Sequence, residues 1–168
     1  GALEWGIRSF ETAIALEPAN PVLYTELGKL YIGKEEFSKA REHFEKAKEL
    51  KADYLEPKVQ LALLKEKEGE EAEALSELQE LSFRYSLSVD GNFQLGRLLY
   101  NAGKVEQAIS QFEQVVLVAP NYSNALFALG VAFESQGERE KAIAQFEKVL
   151  QLNPGNEAVQ KKLQEFQE

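Results

Sequence analysis

One spacing governs this sequence: residues 34 apart keep the same character along its whole length. Gly28, Ala62, Gly96 and Gly130 form one column of small residues, and Gly6, Ala40, Ala74, Ala108 and Ala142 form another. Phe10, Phe44, Leu78, Phe112 and Phe146 make a column of large apolar side chains. Gly69, Gly103 and Gly137 recur at the same interval with Glu35 breaking the pattern; Pro18, Pro120 and Pro154 recur with Ala52 and Ser86 breaking theirs. No insertion or deletion is needed to hold the register. A unit this short cannot bury an apolar face by itself, so copies must stack and stability becomes a sum of unit and interface terms.

Each unit reads as two amphipathic helices joined by a polar turn. Around residues 123–156 the first helix carries Leu126, Leu129, Val131 and Phe133, most of them on one face. The segment Ser135-Gln136-Gly137-Glu138 interrupts the pattern, its glycine suited to the left-handed backbone that ends a helix. Ala142, Ile143, Phe146, Val149 and Leu150 form the second stripe, and Asn153-Pro154-Gly155 stops it because proline cannot continue a helix. Small residues at Gly130 and Ala142 let the helices approach closely, with Phe146 filling the space that remains.

The pattern Leu126-x-x-Leu129-Gly130-x-x-Phe133, followed by Ala142-x-x-x-Phe146 and Pro154, resembles the tetratricopeptide repeat. Tyr24-x-x-Leu27-Gly28-x-x-Tyr31 with Ala40-x-x-x-Phe44 is a second good copy. The resemblance spans essentially the whole chain and implies an all-α fold, a right-handed α-α superhelix of antiparallel helical hairpins. Full repeats are expected at 21–54, 55–88, 89–122 and 123–156, in one solenoid over 1–168. Residues 1–20 read as the second helix of an earlier repeat, its stripe of Leu3, Ile7, Phe10 and Ile14 lacking a covering partner. With no methionine at Gly1, the chain reads as a piece of a longer protein, of prokaryotic style. Residues 157–168 read as a capping helix with Val159, Leu163 and Phe166 inward and Lys161, Lys162 and Gln164 outward.

The repeat at 55–88 departs most from the pattern. Lys58 and Lys65 stand where aromatics are usual, Leu78 replaces Phe, and Leu81 occupies a position where a small residue is common. Pro57 lies near a helix start, where its missing N–H costs little. The acidic run from Lys65 through Glu73 reads first as a solvated face and second as a dock for a basic partner. This repeat is the expected soft point of the array.

Charge and composition narrow the function. A net charge of -9 disfavours nucleic acid, where phosphate neutralisation supplies most of the affinity, and equally disfavours direct binding to anionic membranes. Without cysteine there is no thiolate nucleophile, no disulfide and no Cys-ligated zinc. His43, the single histidine, reads as a surface helix residue flanked by Glu42 and Glu45, with no convergent metal ligands. The serines form no elbow motif, and the glycines sit at hairpin turns rather than in a phosphate loop. Trp5 reads as ordinary packing on an exposed first helix. No enzyme activity, cofactor or metal is expected, and the compartment stays open with a slight lean to the cytoplasm.

The resemblance implies a concave groove lined by the first helices, so groove side chains are read one by one. Their second stripes are Thr25, Lys29 and Ile32; Val59, Leu63 and Glu66; Phe93, Arg97 and Tyr100; Phe127, Val131 and Glu134. The Lys, Asn and Arg clamp that co-chaperones of this family close on an acidic C-terminal peptide is missing in either register. Apolar and aromatic residues take its place. The expected groove residues are Lys29, Val59, Leu63, Phe93, Arg97, Tyr100, Phe127 and Val131, and the expected partner is a protein or peptide with apolar anchors. Self-association through the open edge of residues 1–20, or service as an accessory domain of a larger enzyme or membrane protein, are the competing readings.

Overall fold

The computed structural model describes residues 1–166, and among them it contains ten helices and no strand. The all-α expectation holds. The chain divides into two compact units, Gly1–Leu81 and Ser82–Glu168. The first holds α1 (Ala2–Leu16), α2 (Pro21–Gly33), α3 (Phe37–Leu50), α4 (Glu56–Lys67) and most of α5 (Glu71–Arg84). The second holds α6 (Val89–Asn101), α7 (Val105–Val118), α8 (Ser123–Ser135), α9 (Arg139–Leu152) and α10 (Glu157–Glu165).

Helix starts follow local chemistry. Asn20, Ser88 and Asn156 each accept a backbone N–H of the first turn, while Pro21 and Pro57 occupy positions whose N–H would go unused. The hairpin turns share one geometry. At Gly69, Gly103 and Gly137 φ is +88°, +73° and +74°, and the following amide donates to a carbonyl five residues back, as with Lys104 N–H on Leu99 at 2.9 Å. Glu35, which breaks the glycine column in sequence, keeps it in conformation. Its φ is +61°, and Glu36 N–H donates to the Tyr31 carbonyl at 2.9 Å like its counterparts.

In three hairpins the seam is a ring seated on a glycine. A Cβ built on Gly28 would stand 2.5 Å from Phe44 Cε1; on Gly96, 2.6 Å from Phe112; on Gly130, 2.7 Å from Phe146. The three rings are fully enclosed, each contributing about 1.5–3 kcal/mol by leaving water. In the same register α4 has Ala62 and α5 has Leu78, both without exposed area. Where the ring is replaced by a branched aliphatic, the backbone opposite has room for a methyl.

The departures at 55–88 are accommodated within the first unit. Lys65 reaches Glu77 at 2.6 Å and Glu73 at 3.2 Å, both on α5, and Arg41 of α3 pairs with Glu68. Part of the acidic run is therefore neutralised inside the fold. On α1 the expectation of an uncovered stripe needs correction. Ile7 is buried in a cluster with Leu27, Tyr31, Ala40, Phe44 and Leu61, while Phe10 and Ile14 pack partly against it. The face toward α2 is covered; the residues left in solvent are Leu3, Trp5 and Leu16.

The cap is also tighter than expected. Val159 is fully buried on α10 and Lys161 points outward. Lys162, expected outward as well, pairs with Glu134 of α8 and lies over the Phe146 ring at 5.6 Å. Its aliphatic stem covers the seam while the ammonium reaches a carboxylate at the rim. Positions 167–168 of the expected cap lie outside the described residues.

Candidate functional site

A cleft of about 530 Å³ opens in the second unit along the first helices of successive hairpins. Helix α6 supplies Phe93, Arg97 and Tyr100 at three- and four-residue intervals, so that they share one face. Helix α8 supplies Asn124, Phe127 and Val131 by the same arithmetic, and Asn156 and Ala158 close the far end from the start of α10. Five of the eight expected groove residues thus meet in one place: Phe93, Arg97, Tyr100, Phe127 and Val131.

The rings are held rather than loose. Phe93 makes an edge contact with Tyr122 at 5.3 Å and a tilted one with Phe112 at 5.8 Å. Tyr122 is fixed by donating its hydroxyl to Asp90 at 2.7 Å, and burial with that bond pushes the phenol up to about 12. Phe127 rests 5.7 Å from Phe146 with 37% of its surface in solvent. Arg97 donates from Nε to Gln94 at 2.9 Å, which sets the plane of its guanidinium. The wall is apolar, ordered and studded with a few polar groups, the composition of a site that takes a ligand.

The other three expected residues belong to the first unit. Lys29 is half-buried and bonded to Glu26 at 2.9 Å and Glu56 at 3.1 Å. Partial burial works against its charge, but those two carboxylates outweigh it and raise its pKa. Leu63 is half-buried, and Val59 retains only 4% exposure. The column Thr25, Val59, Phe93, Phe127 explains the difference. Short side chains at this position sink below their neighbours, Thr25 completely, whereas phenyl rings reach past them. Sequence reading had the column but not this dependence on side-chain length. Asn124 was legible as standing one turn before Phe127 on the same stripe, whereas Asn156, at the cap of α10, was not.

His43 differs from its expected surface role. Its ring stacks on Tyr31 at 5.3 Å and 8°, with Tyr24 at 6.2 Å, and burial holds its pKa below the ordinary value. Among the described residues no cluster of three or more His, Cys, Asp or Glu could hold a metal ion, and no helix is long and apolar enough to cross a membrane.

Antiparallel hairpins repeated in register, with a cleft between their first helices, define the class of helical-repeat proteins that act as protein-interaction scaffolds and are generally non-catalytic. Models described as tetratricopeptide repeat match residues 22–54 and 93–157, more than half of the chain between them. The chain is a tetratricopeptide-repeat protein. No curated protein matches its sequence. Among solved structures it is similar to YrrB, described as a TPR protein with an unusual peptide-binding site: 25% identity, 97% of this chain and 84% of that one, TM-score 0.68. It is also similar to MamA, at 24% identity over 92% of this chain and 84% of that one, TM-score 0.65. The Cut9 assembly with Hcn1 aligns with 99% of this chain and 33% of its own at 17% identity, TM-score 0.83, which speaks for fold alone.

Proposed function

We propose that this protein holds a peptide segment of a partner protein in the cleft of the second unit, with apolar side chains of the peptide seated against Phe93, Phe127 and Val131. The observation that carries the reading is the exposed, supported ring of Phe127 at the centre of a cleft otherwise walled by Phe93, Val131 and Tyr100. Leaving 37% of Phe127 in water forgoes roughly a third of the ~1.5–3 kcal/mol that full burial of such a side chain contributes, and a ligand recovers that part on binding. Asn124, in the first turn of α8, and Asn156, at the start of α10, offer amides to a peptide backbone. A peptide-binding site in YrrB, a protein of similar fold, supports the same class of ligand.

Lys29, Val59 and Leu63 take a secondary place in this proposal. Lys29 is engaged by two carboxylates and Val59 has little surface to give. The test is selection of a random peptide library on the immobilised full chain, followed by titration of the winners against Phe127→Ser. Loss of binding with an unchanged melting temperature supports the proposal. Undiminished binding by Phe127→Ser, or selection of no peptide at all, removes it.

A further inference from the structure

The acidic surplus of this chain is unevenly shared. The first unit holds eighteen Asp and Glu against eleven Lys and Arg, the second ten against eight, so only -2 of the -9 falls on the unit with the cleft. The cleft itself goes further. Among the described residues that wall it there is no Asp or Glu, and its single charged side chain is Arg97. The one carboxylate of α6 and the one of α8 are both committed. Asp90, one turn before Phe93, accepts from Tyr122, and Glu134, one turn beyond Val131, pairs with Lys162. What the walls offer instead is donors. Arg97 is half-buried, and its bond to Gln94 takes one of five N–H groups, in a fork that serves several acceptors at once. Tyr100, three residues on along the same face, brings a phenol, and Asn124 an amide.

We infer that the cleft selects an acidic peptide, a carboxylate of which is held by Arg97 beside the apolar side chain seated on the phenyl rings. The inference rests on the reading that the cleft takes a peptide, and adds what that peptide must carry. Phe93 and Arg97 are four residues apart on α6, about 6 Å along its axis. Alternate side chains of an extended peptide are about 6.6 Å apart, so an apolar residue and an acidic group two positions away match the pair. Asp, Glu and a chain's own C-terminal carboxylate share that chemistry, and Arg matches it with two parallel N–H bonds. The net charge of the chain does not oppose this. At physiological ionic strength charges are screened over about 8 Å, so carboxylates elsewhere count for little beside a guanidinium in contact. One guanidinium next to aromatic rings is also a different device from the clamp of several cations that is missing here.

The probes are peptides selected on the immobilised full chain from a random library displayed with a free C-terminus. One winner is titrated in three forms: unmodified, with its acidic side chains replaced by their amides, and with its C-terminus amidated. Removing one of the two kinds of carboxylate should weaken binding about tenfold, and the form affected names the source. Arg97→Gln should weaken the unmodified peptide by the same factor and leave the already weakened form where it was. The amide forms meet unaltered protein, so the outcome is decided even where Arg97→Gln fails to fold. Equal binding by all three forms, or a folded Arg97→Gln chain that still tells them apart, overturns the inference. If those peptides nonetheless lose binding to Phe127→Ser, the cleft reading stands without it; a selection that yields no peptide removes both.

Discussion

Single residues in this protein are constrained by backbone before chemistry. Glu35 holds φ +61° with a side chain that disfavours it by about 1–2 kcal/mol, at a turn where three counterparts are glycine. Glu35→Gly should therefore raise stability by about 0.5–1 kcal/mol, less than the full strain because glycine also frees the unfolded chain; a denaturant midpoint against wild type measures it. Gly96→Ala runs the other way. Helix propensity favours alanine by about 1 kcal/mol, but a Cβ 2.6 Å from Phe112 has nowhere to go, and overpacking of about 1–3 kcal/mol wins. A lower melting temperature is the expected reading, and an unchanged one would show that the ring can step aside. Gln111 presents a different defect: its Oε1 is buried without a hydrogen-bond partner, in the register where His43 stacks on Tyr31 and Glu77 bonds Lys65. The residue opposite in that register is Leu99. Gln111→Leu should stabilise the second unit by about 1 kcal/mol, read in the same denaturant experiment.

Helix pairs follow one rule, a ring against glycine or a leucine against alanine, and the rule is testable as a coupling. Leu78→Phe alone should cost about 1–3 kcal/mol by overpacking against Ala62, and adding Ala62→Gly should recover most of it in a double-mutant cycle. Additive effects would mean the two side chains are independent. Much of this level was legible beforehand, because a 34-residue period without a gap fixes which positions face inward. What stayed hidden depended on reach and partnership. Lys65 looked like a lost aromatic until Glu77 on the next helix was seen at 2.6 Å. His43 looked like surface because its own helix neighbours are acidic, whereas its stacking partner Tyr31 lies on the helix before. Ile7 looked uncovered because a stripe in sequence does not say that one side of it faces α2. The groove column behaved likewise, since a helical wheel places Val59 and Phe127 at one angle but only the longer side chain arrives at the surface.

At the scale of the whole molecule, pH acts through partly buried rings in both units. His43, in the first, has its pKa lowered by burial from 6.5, so the fold favours its neutral form. Its contribution is complete above the unfolded value and is lost as pH falls through the folded one. Tyr122, in the second, is raised from 10.0 to about 12, so its contribution is present below pH 10 and is lost as pH rises through 12. Melting curves should show His43→Gln flattening the acid side and Tyr122→Phe flattening the alkaline side, where Tyr31 is shifted in the same direction by burial. An acid side unchanged by His43→Gln, or an alkaline side unchanged by Tyr122→Phe, would mean that burial of that group does not perturb its titration. The seam of ring on glycine has one more consequence, for how such a chain is rewritten. Because Phe112 and Phe146 each ask the same thing of the helix before them, α8 is a legitimate replacement for α6. The recombinant would keep the glycine under the ring while presenting Phe127 and Val131 twice in succession. Its other buried positions would change, Leu98 to alanine and Leu99 to phenylalanine, so the seam makes the cassette portable only when those neighbours are repacked with it.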